Sequence, residues 1–239
     1  MCRVSCELFS LQGALFFAII LVMIHFHIIS LFPESIAPYL DSSMLGRAQK
    51  DKKIKINYYN PRDFSKHKSR SVDDKPYGGG PGMVLEAPSY LAAARKAIGS
   101  KKNVEVIFFT PSGEQFTQGD AKSLAKVKRS VRNKHIVFLC AHYEGLDARV
   151  PHILKAKHIS VGPFVLTGGE LPAAIIIDAT ARQVEGVLGR GDSIEEERNA
   201  SSEVYTRPEV LKYKGRVYKV PEVLLSGHHG NIEKWRESH

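Results

Sequence analysis

The sequence predicts an α/β fold with a largely parallel sheet flanked by helices. Short apolar runs alternate with segments of helical periodicity, and loops containing glycine or proline follow several of the apolar runs. A chain that alternates strand and helix in this way typically builds a parallel sheet that its helices cover. With 239 residues, 43% of them hydrophobic, the chain can bury a core of that size.

Five apolar runs are predicted to be strands, because they are short and bounded by polar or glycine-bearing stretches. These strands are Ile24 to Leu31, Ile54 to Tyr59, Val104 to Thr110, Ile136 to Cys140 and Ile159 to Val161.

Four segments between or after these runs are predicted to be helices, namely Glu34 to Leu40, Ser89 to Ile98, Gln118 to Lys126 and Leu171 to Arg182. The last of them, LPAAIIIDATAR, is apolar on most of its circumference. We therefore expect it to be buried.

The composition changes at Glu185, after which the chain is rich in glycine, serine, proline and charge and has no sustained periodicity. We predict a main domain over residues 23–184 and a linker or lid, mobile in part, over residues 185–228. Residues 229–239 are expected to begin a truncated C-terminal helical region, with a short helix from Asn231 to Glu237.

The first 22 residues form a leader that invites three interpretations. Its apolar core from Ala14 to Met23 is short for a membrane-spanning helix. A signal peptide is also disfavoured, because Glu7 offsets Arg3 and no small-residue cleavage site follows. We expect that residues 1–22 are translated upstream sequence and that Met23 is the physiological start, with a weak membrane anchor as the alternative.

The chain is basic, with 34 Lys and Arg against 25 Asp and Glu and a net charge of +9. Such a balance favours a polyanionic partner, either nucleic acid or an anionic membrane surface, although a generally basic solvated surface would look the same. The three cysteines do not make a disulfide framework, so we expect a reducing cytoplasm.

The segment VDDKPYGGGPGMV, residues 72–84, contains a dense glycine cluster. Glycine lets a backbone turn tightly or approach a ligand closely, but the spacing does not match the nucleotide-binding fingerprints. Asp73 and Asp74 could ligate a metal, yet no histidine or second acidic cluster lies nearby in the sequence, which favours solvated turn residues. No metal site is therefore predicted.

Three further loops share one layout, in which a strand is followed by glycine or proline and then by polar residues. They are FFTPSGEQF (108–116), CAHYEG (140–145) and VGPFVLTGGE (161–170). Ligands bind outside the carboxyl ends of strands in open α/β sheets, so the three loops could line one pocket. Their backbone groups could bond an adenine edge, and Phe109, Tyr143 and Phe164 could form apolar walls, unless these aromatics are simply core residues.

These motifs carry a resemblance that covers nearly the whole chain from Met23 to His239. In order and at nearly the spacing of that family, ISLFPE, PRDF, VDDKPYGGGPGM, YEGLDARV, VLTGGELPA, YTRPEV and VPEVLLSGHH resemble bacterial TrmD-type tRNA (guanine-N1-)-methyltransferases of the SPOUT class. The resemblance implies a homodimer with a deep trefoil knot, in which the three loops hold S-adenosylmethionine. General folding rules would argue against a knot.

The resemblance also implies particular site residues. The implied cofactor contacts are Phe109, Thr110, Pro111, Ala141, Tyr143, Gly145, Val161, Gly162, Pro163, Phe164, Val165, Leu166, Gly168, Gly169 and Pro172. Glu144 and Asp73 are the candidate substrate contacts. The guanine-orienting arginine of the family corresponds to Arg182, and its catalytic aspartate corresponds to Glu197.

Methyl transfer to guanine N1 requires a distinct role for each of Glu197 and Arg182. Guanine N1 carries a proton at neutral pH, and a carboxylate within reach, here Glu197, can take it as N1 attacks the methyl group. Negative charge then builds on O6, and a guanidinium, here Arg182, stabilises it in the transition state. Arg182 could instead only cap its helix, and Glu195 or Glu196 could serve in place of Glu197.

Two departures from the family pattern affect the pocket. The family has Cys-Gly-Arg-Tyr-Glu-Gly where this chain has Ala141 and His142. Alanine loses freedom at positive φ, and histidine loses a permanent charge while keeping a donor, so the affinity of the site is what these changes affect.

The chain stops at His239, where family members continue with a helical domain that grips tRNA. The basic segments KDKKIK (50–55), RDFSKHKSR (62–70) and KSLAKVKRSVRNKH (122–135) are then expected to carry more of the phosphate binding. Each of them could also be a plain solvated face.

The resemblance thus implies a homodimeric, S-adenosylmethionine-dependent enzyme that methylates N1 of guanosine 37 in tRNA, and the cysteine content favours the cytoplasm. Magnesium could assist through the tRNA or the linker carboxylates. The alternatives are another SPOUT RNA methyltransferase, a tRNA-binding protein that has lost catalysis, and a membrane-anchored protein.

Overall fold

The computed structural model describes residues 23–127, 133–188 and 203–238. In chain order its strands and helices are β1 (Met23–Ile29), α1 (Ala37–Leu40), α2 (Ser43–Lys50), β2 (Ile54–Tyr59), β3 (Asp73–Asp74), β4 (Val84–Leu85), α3 (Ala87–Ile98), β5 (Val104–Gln115), α4 (Gln118–Ala125), β6 (Asn133–Leu139), α5 (Arg149–Ile153), β7 (Lys157–Ser160), α6 (Glu170–Ala181), β8 (Val210–Tyr213), β9 (Arg216–Lys219), α7 (Glu222–Leu225) and α8 (His229–Ser238).

One sheet of five strands forms the centre of the molecule, in the order β2-β1-β6-β5-β7. Every neighbouring pair in it is parallel. The predicted α/β fold with a parallel sheet is therefore confirmed, and all five predicted strands lie in this sheet. Parallel strands end at a common edge, which is where a ligand site is expected.

Helices cover both faces of the sheet and bury two apolar clusters. On one face, residues such as Phe26, Phe138 and Ile177 pack together with side chains from α1, α2, α4 and α6. On the other face, Ile29 and Leu139 pack against α3 and α5. Alternate residues of β1 and β6 point to opposite faces, so the carboxyl-terminal parts of these strands, residues 28–29 and 136–139, are apolar on both faces, as expected for a sheet buried on both sides.

The helix α6 is buried along most of its length, as its composition predicted. Eight of its residues are buried, including Ala173, Ala174, Ile176 and Ile177. The helix α4 begins with a capping box, because the Thr117 side chain accepts from the Asp120 backbone N–H and the Asp120 carboxylate accepts from the Thr117 N–H.

The helix α2 was not predicted. Its residues Gly46 and Ser43 are poor helix formers, and its apolar face is short. The structure shows why glycine is required, since a Cβ on Gly46 would lie 2.2 Å from the carbonyl oxygen of Asp41. Close packing between consecutive helices, rather than local propensity, selects this residue.

A β-hairpin of β8 and β9 lies within the segment that was predicted to be an irregular linker. Its turn residues Lys214 and Gly215 both have positive φ, at +48° and +73°, as a two-residue hairpin turn requires. The sequence signal was present in VLKYKGRVYK, where apolar and basic residues alternate around Lys-Gly. Most residues from 203 to 238 are exposed, and the helix predicted over Asn231 to Glu237 is confirmed as part of α8.

The proposed leader, residues 1–22, lies outside the described residues. Within the part of the chain that the structure describes, no helix has the length and apolar character needed to span a membrane.

Candidate cofactor-binding pocket

A pocket of about 370 Å³ opens at the carboxyl ends of β5, β6 and β7. The three predicted loops line it, together with the end of β7 and the start of α6. Its lining residues are Phe108, Phe109, Thr110, Pro111, Ala141, His142, Tyr143, Glu144, Gly145, Ile159, Ser160, Val161, Gly162, Phe164, Val165, Leu166, Thr167, Gly168, Gly169 and Pro172. Pockets for small ligands have volumes of roughly 300–1,000 Å³, so this one has a suitable size.

A bulge in β5 forms the first wall of the pocket. Phe109 and Glu114 both pair with Ile159 of β7, so the residues between them leave the ladder. Gly113 allows this, because a Cβ there would lie 2.7 Å from the backbone of β7. Phe109 is held from below by the ring of Phe138 at a centroid distance of 5.7 Å. The bulge thereby places Phe109, Thr110 and Pro111 at the pocket.

The second wall is the loop that follows β6. Its first carbonyl, that of Cys140, accepts a hydrogen bond of 2.9 Å from the buried hydroxyl of Tyr90. Burial raises the pKa of both the Tyr90 hydroxyl and the Cys140 thiol well above their ordinary values, so both groups stay neutral. The loop has positive φ at Tyr143, with +59°, and at Gly145, with +120°. Ala141 does not have positive φ, and the replacement of glycine by alanine there therefore causes no backbone strain.

A buried carboxylate ties the second loop to the third. Nε2 of His142 lies 2.7 Å from Oε2 of Glu170, and the hydroxyl of Ser30 donates to Oε1 of the same carboxylate. Glu170 is only 5% exposed and Ser30 only 1%. The ring of His142 also meets the edge of Phe32 at 5.0 Å. Because a buried carboxylate is costly without partners, this chain of bonds holds Ser30, His142 and the start of α6 in one arrangement.

Glycines allow the third loop to lie against the second. A Cβ on Gly168 would lie 2.4 Å from the His142 ring, and one on Gly169 would lie 2.6 Å from Cα of Cys140. The backbone N–H of Gly169 donates to the Ala141 carbonyl at 3.0 Å. Gly162 is covered in the same way by the ring of Phe164, whose nearest atom would be 2.2 Å from a Cβ there. Larger residues would separate these loops and widen the pocket.

The glycine-rich segment, residues 72–84, packs against Glu144, which lines the pocket. All four glycines of that segment have positive φ, but only Gly82 meets another residue, since a Cβ there would lie 2.5 Å from Cγ of Glu144. The backbone N–H of Glu144 donates to the Met83 carbonyl, and that of Leu85 donates to the Gly145 carbonyl. The segment therefore supports the loop that carries Tyr143 and Glu144.

Comparison with known proteins identifies the family of this chain. Residues 24–239 match the family model described as tRNA (guanine-1)-methyltransferase TrmD. The chain belongs to this tRNA methyltransferase family. A relative from Ruminiclostridium cellulolyticum, named tRNA (guanine-N(1)-)-methyltransferase, is 44% identical over 217 residues, 88% of each chain. Relatives of the same name from Desulforamulus reducens and Buchnera aphidicola are 45% and 41% identical, and the aligned regions cover 81% and 88% of their lengths.

Of the cofactor contacts that resemblance to the tRNA methyltransferase family implied, all but Pro163 line the pocket. Pro163 is exposed and lies just outside it. The candidate substrate contact Glu144 also lines the pocket. Asp73 does not; it is half-buried on β3, and its carboxylate accepts a hydrogen bond from Ser71 at 3.0 Å.

Of the two predicted catalytic residues, the structure describes only Arg182, which does not line this pocket. Arg182 follows the last residue of α6 and lines a separate, mainly apolar depression with Tyr39, Leu171, Ile175 and Asp178. The predicted base, Glu197, lies outside the described residues, as do Glu195 and Glu196.

The sequence motifs did not identify Glu170 and Ser30 as residues that hold the pocket loops in place. Glu170 belongs to the quoted motif VLTGGELPA, but an acidic residue in the first turn of a helix is common at the surface, so its position did not predict burial. No local signal identifies Ser30 as its partner, because 140 positions separate the two residues.

Proposed function

We propose that this protein transfers a methyl group from S-adenosylmethionine to N1 of guanosine 37 in tRNA, next to the anticodon, and so forms 1-methylguanosine. The observation that carries the proposal is the pocket at the carboxyl ends of β5, β6 and β7, two of whose walls carry the motifs YEGLDARV and VLTGGELPA, in a chain that matches the family model over residues 24–239.

The pocket fits a nucleoside-bearing methyl donor in both size and chemistry. Phe109, Tyr143 and Phe164 offer aromatic faces, and Tyr143 and Phe164 are each about half exposed, at 52% and 51%. The loops also bring backbone N–H and C=O groups to the pocket, which can bond the edge of an adenine. We propose that the donor is held by Phe109, Thr110, Pro111, Ala141, Tyr143, Gly145, Val161, Gly162, Phe164, Val165, Leu166, Gly168, Gly169 and Pro172, which line the pocket, and by Pro163 just outside it.

The bound donor supplies an electrophilic methyl group on a sulfonium sulfur. As the bond from guanine N1 to the methyl carbon forms and the carbon–sulfur bond breaks, Glu197 accepts the N1 proton. Arg182 stabilises the negative charge that develops on O6. Glu144, at the pocket, accepts hydrogen bonds from the Watson–Crick edge of the guanine, and Asp73 supports the same substrate from the glycine-rich segment.

We propose that the enzyme is a homodimer. Arg182 lines a depression separate from the pocket of its own chain, and apolar side chains near it are exposed, among them Tyr39 at 54%, Leu171 at 54% and Ile175 at 39%. A second copy would cover this surface and could bring the segment carrying Glu197 over the pocket of its partner. Aligning donor, acceptor and base in this way lowers the entropic part of the barrier.

We further propose that the polypeptide is knotted at the pocket. The segment that leads into α6 packs tightly against the loop after β6, as the bond from Gly169 to Ala141 and the 2.6 Å approach of Gly169 to Cys140 indicate. A crystal structure would test this, because closing its Cα trace either yields a trefoil or does not.

The net charge of +9 suits a tRNA partner, and the cytoplasm is the compartment we propose. Lys and Arg of the basic segments would contact phosphates, so binding should weaken steeply as salt rises. Magnesium would assist through the tRNA or through the linker carboxylates, of which Glu195, Glu196 and Glu197 lie outside the described residues.

A single-turnover assay with radiolabelled methyl donor tests the proposed reaction. Transfer of label to tRNA with guanosine at position 37, recovered as 1-methylguanosine, is the expected result. tRNA with adenosine at that position is the matched substrate control. Tight tRNA binding without transfer would instead indicate a catalytically degenerate binder, and label at another nucleotide would indicate a different RNA target.

The Glu197→Gln variant tests the base. Transfer should fall by at least about a hundredfold, in line with the usual contribution of general base catalysis, while donor binding stays within twofold. Glu195→Gln is the matched control and should retain normal transfer. If Glu195→Gln loses transfer and Glu197→Gln does not, the base has been assigned to the wrong carboxylate.

A further inference from the structure

Three histidines meet on the sheet face that α3 covers. His25 and His27 are two positions apart on β1, and His135 is the register partner of His25 on β6. One potential ligand atom from each lies within 4.8 Å of the others. Residues 25 and 135 both lie near the amino ends of their strands, whereas the pocket lies at the carboxyl ends.

The spacing of the ring nitrogens is close to what a metal requires. Nε2 of His27 lies 3.1 Å from Nδ1 of His135. Two nitrogens bound to one tetrahedral zinc ion at about 2.1 Å lie about 3.4 Å apart, so this pair needs to open only slightly. We propose that His25, His27 and His135 form a binding site for a divalent transition-metal ion of the zinc class.

The surroundings orient the histidines for this role. His27 and His135 are only 2% and 8% exposed, and packing therefore restricts both rings. Nδ1 of His27 lies 3.3 Å from the hydroxyl of Tyr59. When Nδ1–H donates to that oxygen, the lone pair of the ring is on Nε2, which is the atom that faces His135. Such a second contact commonly fixes the tautomer of a metal-binding histidine.

Charge decides how tightly the ion would bind. Burial lowers the pKa of His25 to about 4 and that of His27 to about 3, so both rings are neutral at pH 7 and no proton competes with the metal. The positive charges of Lys55 and Lys101 also lower the pKa values of His25 and His27. Because both lysines repel a cation, we expect a micromolar rather than a nanomolar site. Solvent can supply a fourth ligand beside half-buried His25.

Titration of the full chain with ZnCl₂ by calorimetry, and with CoCl₂ by visible absorption, tests the site. We expect one Zn²⁺ per chain and the intense absorption of tetrahedral Co²⁺. His25→Gln, which changes a half-buried residue and should not prevent folding, is expected to weaken binding at least tenfold. His135→Gln should abolish the cobalt spectrum, and circular dichroism verifies that each variant is folded.

Two further variants separate this site from other possibilities. The double variant His228→Gln/His229→Gln removes an adjacent histidine pair in an exposed segment and should leave the affinity unchanged. Lys101→Gln should raise the affinity about threefold, because it removes one repelling charge. If the wild-type chain binds no zinc at about 100 μM ZnCl₂, a concentration far above the expected micromolar dissociation constant, the proposal is overturned. Binding that survives in both folded His25→Gln and His135→Gln would also overturn it.

Discussion

Nε2 of His142 lies 2.7 Å from Oε2 of Glu170, and this contact joins two walls of the cofactor pocket through a carboxylate that is 5% exposed. Ser30 satisfies the other oxygen. In this chain an imidazole meets the carboxylate, at the position where the resemblance implies an arginine. The loop after β6 is thus positioned by a residue that does not belong to it.

Glu170→Gln should weaken donor binding roughly tenfold, a loss of about 1.4 kcal/mol. The reason is that the amide oxygen can accept a hydrogen bond from only one of His142 and Ser30, so the loop after β6 is held less firmly. Calorimetry with the demethylated donor product measures this loss. Glu34→Gln changes an exposed carboxylate and is the matched control. Unchanged affinity in Glu170→Gln would show that the buried contact does not position the pocket.

Gly169→Ala should destabilise the fold by about 1–3 kcal/mol, because its Cβ would lie 2.6 Å from Cα of Cys140, a backbone atom whose displacement would disturb the loop. Urea denaturation followed by circular dichroism measures the change. Gly119→Ala is the control, since its Cβ would make only an ordinary contact of 3.5 Å with Thr117, and a change within about 0.5 kcal/mol is expected. Equal stability of the two variants would contradict the close approach of the loops.

Phe164→Ala should reduce donor affinity roughly tenfold while leaving stability nearly unchanged, because the ring is half exposed yet lines the pocket. Calorimetry gives the affinity and thermal unfolding gives the stability. Tyr213→Ala, which removes a ring that is 58% exposed in the hairpin of β8 and β9, should affect neither. A similar loss of donor affinity in both variants would argue against Phe164 as a wall of the site.

Acid should destabilise the folded protein through the histidine cluster. The pKa of His25 is lowered to about 4 and that of His27 to about 3, mainly by burial. Since the unfolded histidines titrate near 6.5, the unfolded state gains protons first as the pH falls. The free energy of unfolding is therefore constant above about pH 7 and declines as the pH falls toward 4. Between pH 7 and pH 5 we expect a loss of about 2 kcal/mol, a value reduced for the solvent screening of His25.

Urea midpoints measured at pH 7.5 and pH 5.0, with a chelator present to remove metal, test this decline. His27→Gln should show a shallower decline than the wild type, because one of the shielded rings no longer takes up a proton on unfolding. His152→Gln, which changes an exposed histidine, should leave the decline of the urea midpoint with pH unchanged. A wild-type midpoint that is equal at both pH values would contradict the lowered pKa values.

Local sequence determined the elements and most of the pocket. Apolar runs such as Val104 to Thr110 form strands because both of their faces are buried, and the loops that follow were located by glycine and proline beside polar residues. The hairpin around Lys214 and Gly215 also had a local signal, although the surrounding polar composition obscured it.

Only the tertiary structure decided which distant residues meet. It placed β6 between β1 and β5, which brings His135 to His25 and His27 across 108 positions or more. It also joined Ser30 to Glu170, and left Arg182 away from the pocket of its own chain. The physical reason is that register and strand order depend on packing summed over both faces of the sheet, which no short segment of sequence contains.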